Sequence, residues 1–92
     1  MSKQEILALL DMSEREQRNF LNYNEVAWLP PESLPDLAFR LRDEVPLEKY
    51  RTTLMEVYQH QTRHPIYWEF LMYISPTEMI CAALLAGLEN DK

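Results

Sequence analysis

Residues 66–88 read IYWEFLMYISPTEMICAALLAGL, an aromatic run followed by a helix-start signature and a long apolar segment. In the apolar segment, from Met79 to Leu88, only Gly87 is not hydrophobic. A helix that is apolar on every side is normally buried, because exposing it would cost about 25 cal/mol per Å² of apolar area left in water. We therefore predict that this segment is the central helix of the fold and that Leu84 and Leu85 lie in the core.

Every serine in the chain stands three residues before an acidic residue. The four pairs are Ser2 with Glu5, Ser13 with Glu16, Ser33 with Asp36, and Ser75 with Glu78. This is the spacing of a capping box, in which the serine side chain accepts a bond from a first-turn amide and the acid bonds back to the serine amide. The shorter Asp36 would contribute mainly negative charge near the positive end of its helix. The pairs predict helices over about 3–10, 14–23 and 34–44, and one that begins near residue 76.

Two segments, the helix already predicted over 34–44 and a second one after it, also show the apolar spacing of a helix. One consists of Leu34, Leu37, Ala38 and Leu41, which follow the i, i+3, i+4, i+7 rule of a single buried face. The second begins after Pro46, which stops one helix and can open the next. Its apolar stripe comprises Leu47, Tyr50, Leu54, Val57 and Tyr58. We predict two amphipathic helices that turn these stripes toward the core.

Residues 66–74 leave the fold class open, because their apolar side chains fit a short helix and also the alternation of a half-buried strand. Only residues 25–29 offer a second strand. They read as an extended loop before Pro30 and Pro31, with Val26 and Trp28 on one side and Trp28 as an aromatic anchor. We predict a mainly α fold, a compact bundle of four to six short helices around a buried C-terminal helix. The alternative is an α+β fold with a small sheet made of 25–29 and 66–74.

Length and charge restrict the classes of partner. The 92 residues predict a single domain over 1–92. With 15 acidic against 9 basic residues the net charge is −6, which opposes direct binding to nucleic acid phosphates. No apolar run approaches the roughly 20 residues that a membrane span needs. The lone Cys81 lies in the apolar segment, which is typical of a reducing compartment. We predict a cytoplasmic protein that contacts neither nucleic acid nor membrane.

Three residues are candidates for chemistry. His60 and His64 are four apart, a spacing that can hold a metal on one helix face, but Pro65 is expected to end the helix and no Glu follows His60. We predict surface histidines. The apolar neighbours of Cys81 predict a raised thiol pKa and an inert core residue. We therefore predict no catalytic residue, no metal and no cofactor. The alternative is a small metal- or thiol-dependent enzyme that uses these three residues.

The number of aromatic residues points to a binding role. Four of them lie on segments that prolines border, away from the regular apolar stripes: Trp28, Tyr67, Trp68 and Tyr73. Tyr and Trp are enriched where proteins bind one another. We predict that these four residues form a partner-binding site, for a protein partner or for self-association. A third function, an acidic mimic of nucleic acid, is less favoured because arginines are interspersed among the acids.

The order of segments resembles that of short uncharacterised proteins encoded by bacteriophages and prophages. The resemblance is carried by the Leu34 to Ala38 helix, the helix from Leu47 to Leu54, the aromatic segment and the Pro-led apolar helix of residues 75–84. It implies a non-enzymatic accessory protein in the host cytoplasm that binds or inhibits a host protein.

Overall fold

The computed structural model describes residues 1–29 and 32–90, and the side chains of all of these but Glu89 and Asn90. Pro30 and Pro31, predicted to keep the preceding loop extended, lie outside the described residues. Six α-helices are present in the described part: α1 Lys3–Ala8, α2 Glu14–Tyr23, α3 Leu34–Asp43, α4 Leu47–His60, α5 Tyr67–Met72 and α6 Pro76–Asn90. A 3-10 turn, Leu9–Asp11, follows α1. The mainly α prediction is confirmed.

The serine caps are in place at all four predicted helix starts. Complete capping boxes are present at Ser2 and Ser13. At α6 the Ser75 Oγ accepts from the Glu78 amide at 3.2 Å, and the Ser75 amide donates to Glu78 Oε1 at 2.9 Å. At α3 the Ser33 Oγ accepts from the Asp36 amide at 3.2 Å. Local side-chain chemistry therefore fixes where these four helices begin.

The C-terminal helix α6 is the centre of the bundle, as predicted. It packs mainly against α3 and α4, and α1 also contacts it. Small buried residues on α6 allow these helices to approach closely, namely Cys81, Ala82, Ala83 and Ala86. The larger buried side chains Ile80 and Leu85 fill the space between the helices. Leu84, predicted to be buried, is instead only half-buried and lies at the edge of the core.

Residues 66–74 contain a helix and not a strand. No strand occurs in residues 1–29 or 32–90, so the alternative sheet of 25–29 and 66–74 is wrong. Within this segment Phe70 is the residue that points fully into the core. The physical reason is that an isolated strand would leave its backbone groups unpaired, whereas a helical turn satisfies them locally.

Two predictions about core residues need correction. Leu47 is exposed at the first position of α4, while Thr53, which is not apolar, is completely buried. The loop after α2 is anchored by Ala27 and Leu29, which are buried, and not by Trp28, which points outward. No helix in the described residues is long and apolar enough to cross a membrane.

Candidate functional site

The outer face of α5 carries exposed apolar side chains. Trp68 is 70% exposed and Met72 is 62% exposed, and their spacing of four places them side by side on the helix. Phe70 lies midway between them in sequence and points in the opposite direction, into the core. Ile66 precedes the helix and Tyr73 follows it, and both are also exposed. We call Ile66, Trp68, Met72 and Tyr73 the α5 surface.

A cluster of three aromatic rings holds the inner side of α5 on α4. The Tyr58 ring meets the Tyr67 ring edge-on at a centroid distance of 5.0 Å and lies 5.5 Å from the Phe70 ring. The Tyr58 hydroxyl also donates to the Pro65 carbonyl oxygen at 2.6 Å. These contacts restrain the inner face of α5 and the loop that precedes it. The backbone that carries the side chains of the outer face is therefore held in place.

The ends of α5 are tied down by polar contacts. The Gln61 side chain forms two hydrogen bonds with the backbone of His64, at 2.8 Å to its carbonyl oxygen and 3.0 Å from its amide. The His64 ring stacks on Tyr73 with centroids 5.8 Å apart, and its Nδ1 lies 3.2 Å from Glu69 Oε1. His64 is therefore half-buried, in contrast to the predicted surface histidine.

An ion pair connects the loop before α5 to the first turn of α6. The Arg63 guanidinium donates to the carboxylate of Glu78, which is buried, and also contacts the Tyr73 carbonyl oxygen at 3.4 Å. Glu78 at the same time accepts from the Ser75 amide in the capping box. The Glu78 carboxylate thus attaches Arg63, before α5, to the central helix. Through the same guanidinium it is also connected to Tyr73, after α5.

Trp28 lies on a different element, the loop between α2 and α3. The Asn22 side chain bridges to Leu29, accepting from its amide at 2.9 Å and donating to its carbonyl oxygen at 3.0 Å. This bridge and the burial of Ala27 and Leu29 hold residues 27–29 in place and leave Trp28 69% exposed. In the described residues no ring contact joins Trp28 to Tyr67, Trp68 or Tyr73.

The four aromatic residues predicted as one site therefore fall into different roles. Trp68 and Tyr73 belong to the α5 surface, Tyr67 lies half-buried beneath it, and Trp28 is held on another loop. Sequence reasoning missed Ile66 and Met72 as parts of the surface. For Met72 a signal was available, because it stands four residues after Trp68 and would share its face in a helix.

The four side chains of the α5 surface are uncharged, and two charged residues adjoin them: Glu69 within α5, and Arg63, whose guanidinium contacts the Tyr73 carbonyl oxygen. Between His64 and Thr77 the sequence contains one carboxylate, Glu69, and neither Lys nor Arg. Glu69 is in turn paired with the His64 ring. The acids that produce the net charge of −6 therefore lie on other parts of the chain.

The residues considered for chemistry are placed as follows. Cys81 is completely buried, its thiol donates to the Ile6 carbonyl oxygen at 3.3 Å, and burial raises its pKa to about 12. Such a thiol is protonated at neutral pH and out of reach of a substrate. His60 is the last residue of α4 and His64 lies beyond it, so the two do not share a helix face. The described residues contain no group of three or more potential metal ligands.

A polar cleft of about 400 Å³ lies where the loop after α4 meets the start of α6. Its lining includes Gln17, Arg63, Thr77 and Glu78. Gln17 donates to the Met12 carbonyl oxygen at 2.8 Å and accepts from the Thr77 hydroxyl at 2.7 Å. Arg63 and Glu78 bond to each other. These hydrogen bonds and this ion pair join α2, α6 and the loop across the cleft.

The chain was compared with protein-family models, with curated proteins and with solved structures, and none of the three comparisons found a significant match.

Proposed function

We propose that this chain is a non-enzymatic protein-binding module and that the α5 surface is its binding site. The observation that supports the proposal is the pairing of Trp68 and Met72 on the outer face of a helix whose inner face is fixed by three aromatic rings. Because the backbone of α5 is already held in place, binding does not have to order it, which lowers the entropic cost of association.

The composition of the surface also fits this function. Trp and Tyr dominate the residues whose truncation weakens protein complexes, and Met adapts its shape to an irregular partner. The four exposed side chains lie on one short helix and at its two ends. A patch of this kind on a small protein is more often an interface than idle surface.

The resemblance of residues 34–84 to bacteriophage and prophage proteins supports a cytoplasmic accessory role. Under this proposal the module acts through contact with another protein chain, and inhibition follows where the covered surface is needed for another contact. The buried, protonated Cys81 gives no support to thiol chemistry.

The test is photo-crosslinking from single positions in living cells. A benzophenone amino acid replaces Trp68 in one variant and Arg51, an exposed residue of α4, in the control. We expect position 68 to give a discrete crosslinked protein product and position 51 to give none. The proposal fails if position 68 yields no product, or if both positions yield the same diffuse set.

A further inference from the structure

We infer that the partner of the α5 surface is a second copy of this chain, docked about a twofold axis so that Trp68 of each copy packs on Met72 of the other. The inference rests on the proposed function, because it takes the α5 surface to be a protein-binding site and adds the identity of the partner.

Charge is the first argument for a second copy. If the net charge of −6 selected the partner, that partner would be basic. Its cationic side chains would then need acidic residues of this chain around the α5 surface. The α5 surface provides only Glu69, which is already paired with His64. Its match is an uncharged apolar surface, and this chain itself presents one. Repulsion between two acidic copies is weak at physiological salt, since charges more than about 8 Å apart are screened.

Shape is the second argument. In a twofold interface, residue i of one copy contacts residue j of the other, and j contacts i in return. Trp68 and Met72 are one helical turn apart, so two α5 helices crossing in opposite directions at the level of residue 70 place each Trp68 on the partner copy's Met72. Phe70, which lies between Trp68 and Met72 in sequence, points inward and does not project between the two helices. The contact of sulfur with an aromatic ring is favourable in its own right.

Area is the third argument. Large side chains present roughly 150 to 250 Å² each when fully exposed, so an interface that covered the exposed parts of Ile66, Trp68, Met72 and Tyr73 would bury about 500 Å² per copy. Two such faces together reach about 1,000 Å², the lower bound for a specific interface. The surface therefore suits a modest, concentration-dependent dimer.

The experiment measures association by sedimentation velocity over a range of protein concentrations from low to high micromolar. We expect the unmodified chain to pass from monomer to dimer within this range. Trp68→Ala should weaken the dimer by at least about 30-fold, the effect of losing a hot-spot side chain. Trp28→Ala is the matched control, because Trp28 is equally exposed but lies off the surface, and it should dimerise like the parent.

A pair of charged variants tests the proposed contact itself. Trp68→Glu and Met72→Lys should each be monomeric on its own. Mixed together, they should form a heterodimer, since Glu at 68 then faces Lys at 72 while the other half of the interface keeps its native Trp68 and Met72. Circular dichroism of each variant verifies that the helices are intact. A dimer that survives either change alone, or a mixture that stays monomeric, overturns the proposed pairing.

The outcome also separates this inference from the function on which it rests. If the unmodified chain is monomeric at every concentration and the crosslinker at position 68 captures a different protein, the second copy is excluded and the binding function stands. If the chain is monomeric and position 68 captures nothing, both are overturned.

Discussion

The side-chain hydroxyl of Thr53 on α4 donates a hydrogen bond to the backbone carbonyl oxygen of Ala82 on α6, at 2.6 Å. Both residues are completely buried. The contact requires the two helix backbones to approach closely, which the methyl side chain of Ala82 permits. It explains why a polar residue occupies the inner face of α4 in a core that is otherwise largely apolar: the hydroxyl is satisfied by the neighbouring helix.

Thr53→Val keeps the branched shape of the side chain and removes this hydrogen bond, together with the longer contacts of the hydroxyl with the Lys49 and Tyr50 carbonyl oxygens of its own helix, both at 3.1 Å. We expect the free energy of unfolding to fall by about 1 kcal/mol, the usual contribution of one buried hydrogen bond. Thr52→Val is the control, because Thr52 is exposed on the same helix and its hydroxyl bonds only to the Glu48 carbonyl oxygen. Urea titration compares the two variants. Equal stabilities would show that the bond to Ala82 contributes nothing.

Ser75→Ala tests the cap of the central helix. Removing the hydroxyl leaves the Glu78 amide without its partner and disturbs the carboxylate that also binds Arg63, so we expect a loss of about 1 kcal/mol. Ser2 forms an equivalent box with Glu5, but at the exposed start of α1. Ser2→Ala should therefore cost much less, and the difference between the two midpoints in denaturant measures what burial of the cap adds.

Leu85→Ala and Leu84→Ala test which side of α6 faces the core. Leu85 is 3% exposed, so its truncation should cost about 2 to 5 kcal/mol. Leu84 is half-buried, and its truncation should cost less than half as much. The two substitutions remove the same atoms from adjacent positions of one helix, which cancels differences in helix propensity. Similar melting temperatures for both variants would contradict the orientation of α6.

Most helix boundaries could be read from the sequence because their causes are local. A serine and an acid three residues apart specify a helix start whatever the rest of the chain does, and Pro46 marks the boundary between α3 and α4. The orientation of α6 could not be predicted, because an apolar helix has no periodicity to show that Leu84 lies nearer the surface than Leu85.

The candidate site was predicted only in part for a similar reason. Trp28 has the largest side chain of its loop and was interpreted as the anchor. The smaller side chains of Ala27 and Leu29 are buried instead. That arrangement depends on the bridge from Asn22, seven residues before Leu29, and such a contact leaves no trace in hydrophobic spacing. Met72 stands four residues after Trp68 and shares its face, but hydrophobic spacing does not show that this face is the outer one.

Cys81 should make stability depend on alkaline pH. Burial, and to a smaller degree the charge of Glu78, raises the thiol pKa from 9.0 to about 12 in the folded chain. The folded state thus holds the proton more tightly than the unfolded state. Its contribution to stability is complete below about pH 9 and is lost progressively as the pH rises toward 12.

We expect the free energy of unfolding to fall in this window by about 1.4 kcal/mol per pH unit on account of the thiol. Because tyrosines and lysines also titrate there, the measurement is the difference between the parent and Cys81→Ala, which lacks the ionisable group. Denaturant titrations at pH 8 and at successive higher values give that difference. A constant difference between the two proteins would show that the thiol is not shielded from water.

The last prediction separates two tyrosines that the sequence placed in one binding site. Tyr67 packs against Tyr58 and Phe70 beneath α5, whereas Tyr73 is 61% exposed and rests on His64. Tyr67→Ala should therefore lower the free energy of unfolding by about 2 kcal/mol, or roughly 10 °C in Tm. Tyr73→Ala should change Tm by only a few degrees but weaken association through the α5 surface.

Tyr23 supplies the control, because at 87% exposure on α2 it is the most exposed tyrosine of the chain. Tyr23→Ala should leave both Tm and association unchanged, which accounts for any general effect of removing a phenol ring. Thermal melts and sedimentation of the three variants are compared at the same protein concentration, since association itself raises Tm. If Tyr73→Ala unfolds the chain as Tyr67→Ala does, its ring belongs to the core. If it leaves association intact in a folded protein, the binding site ends at Met72.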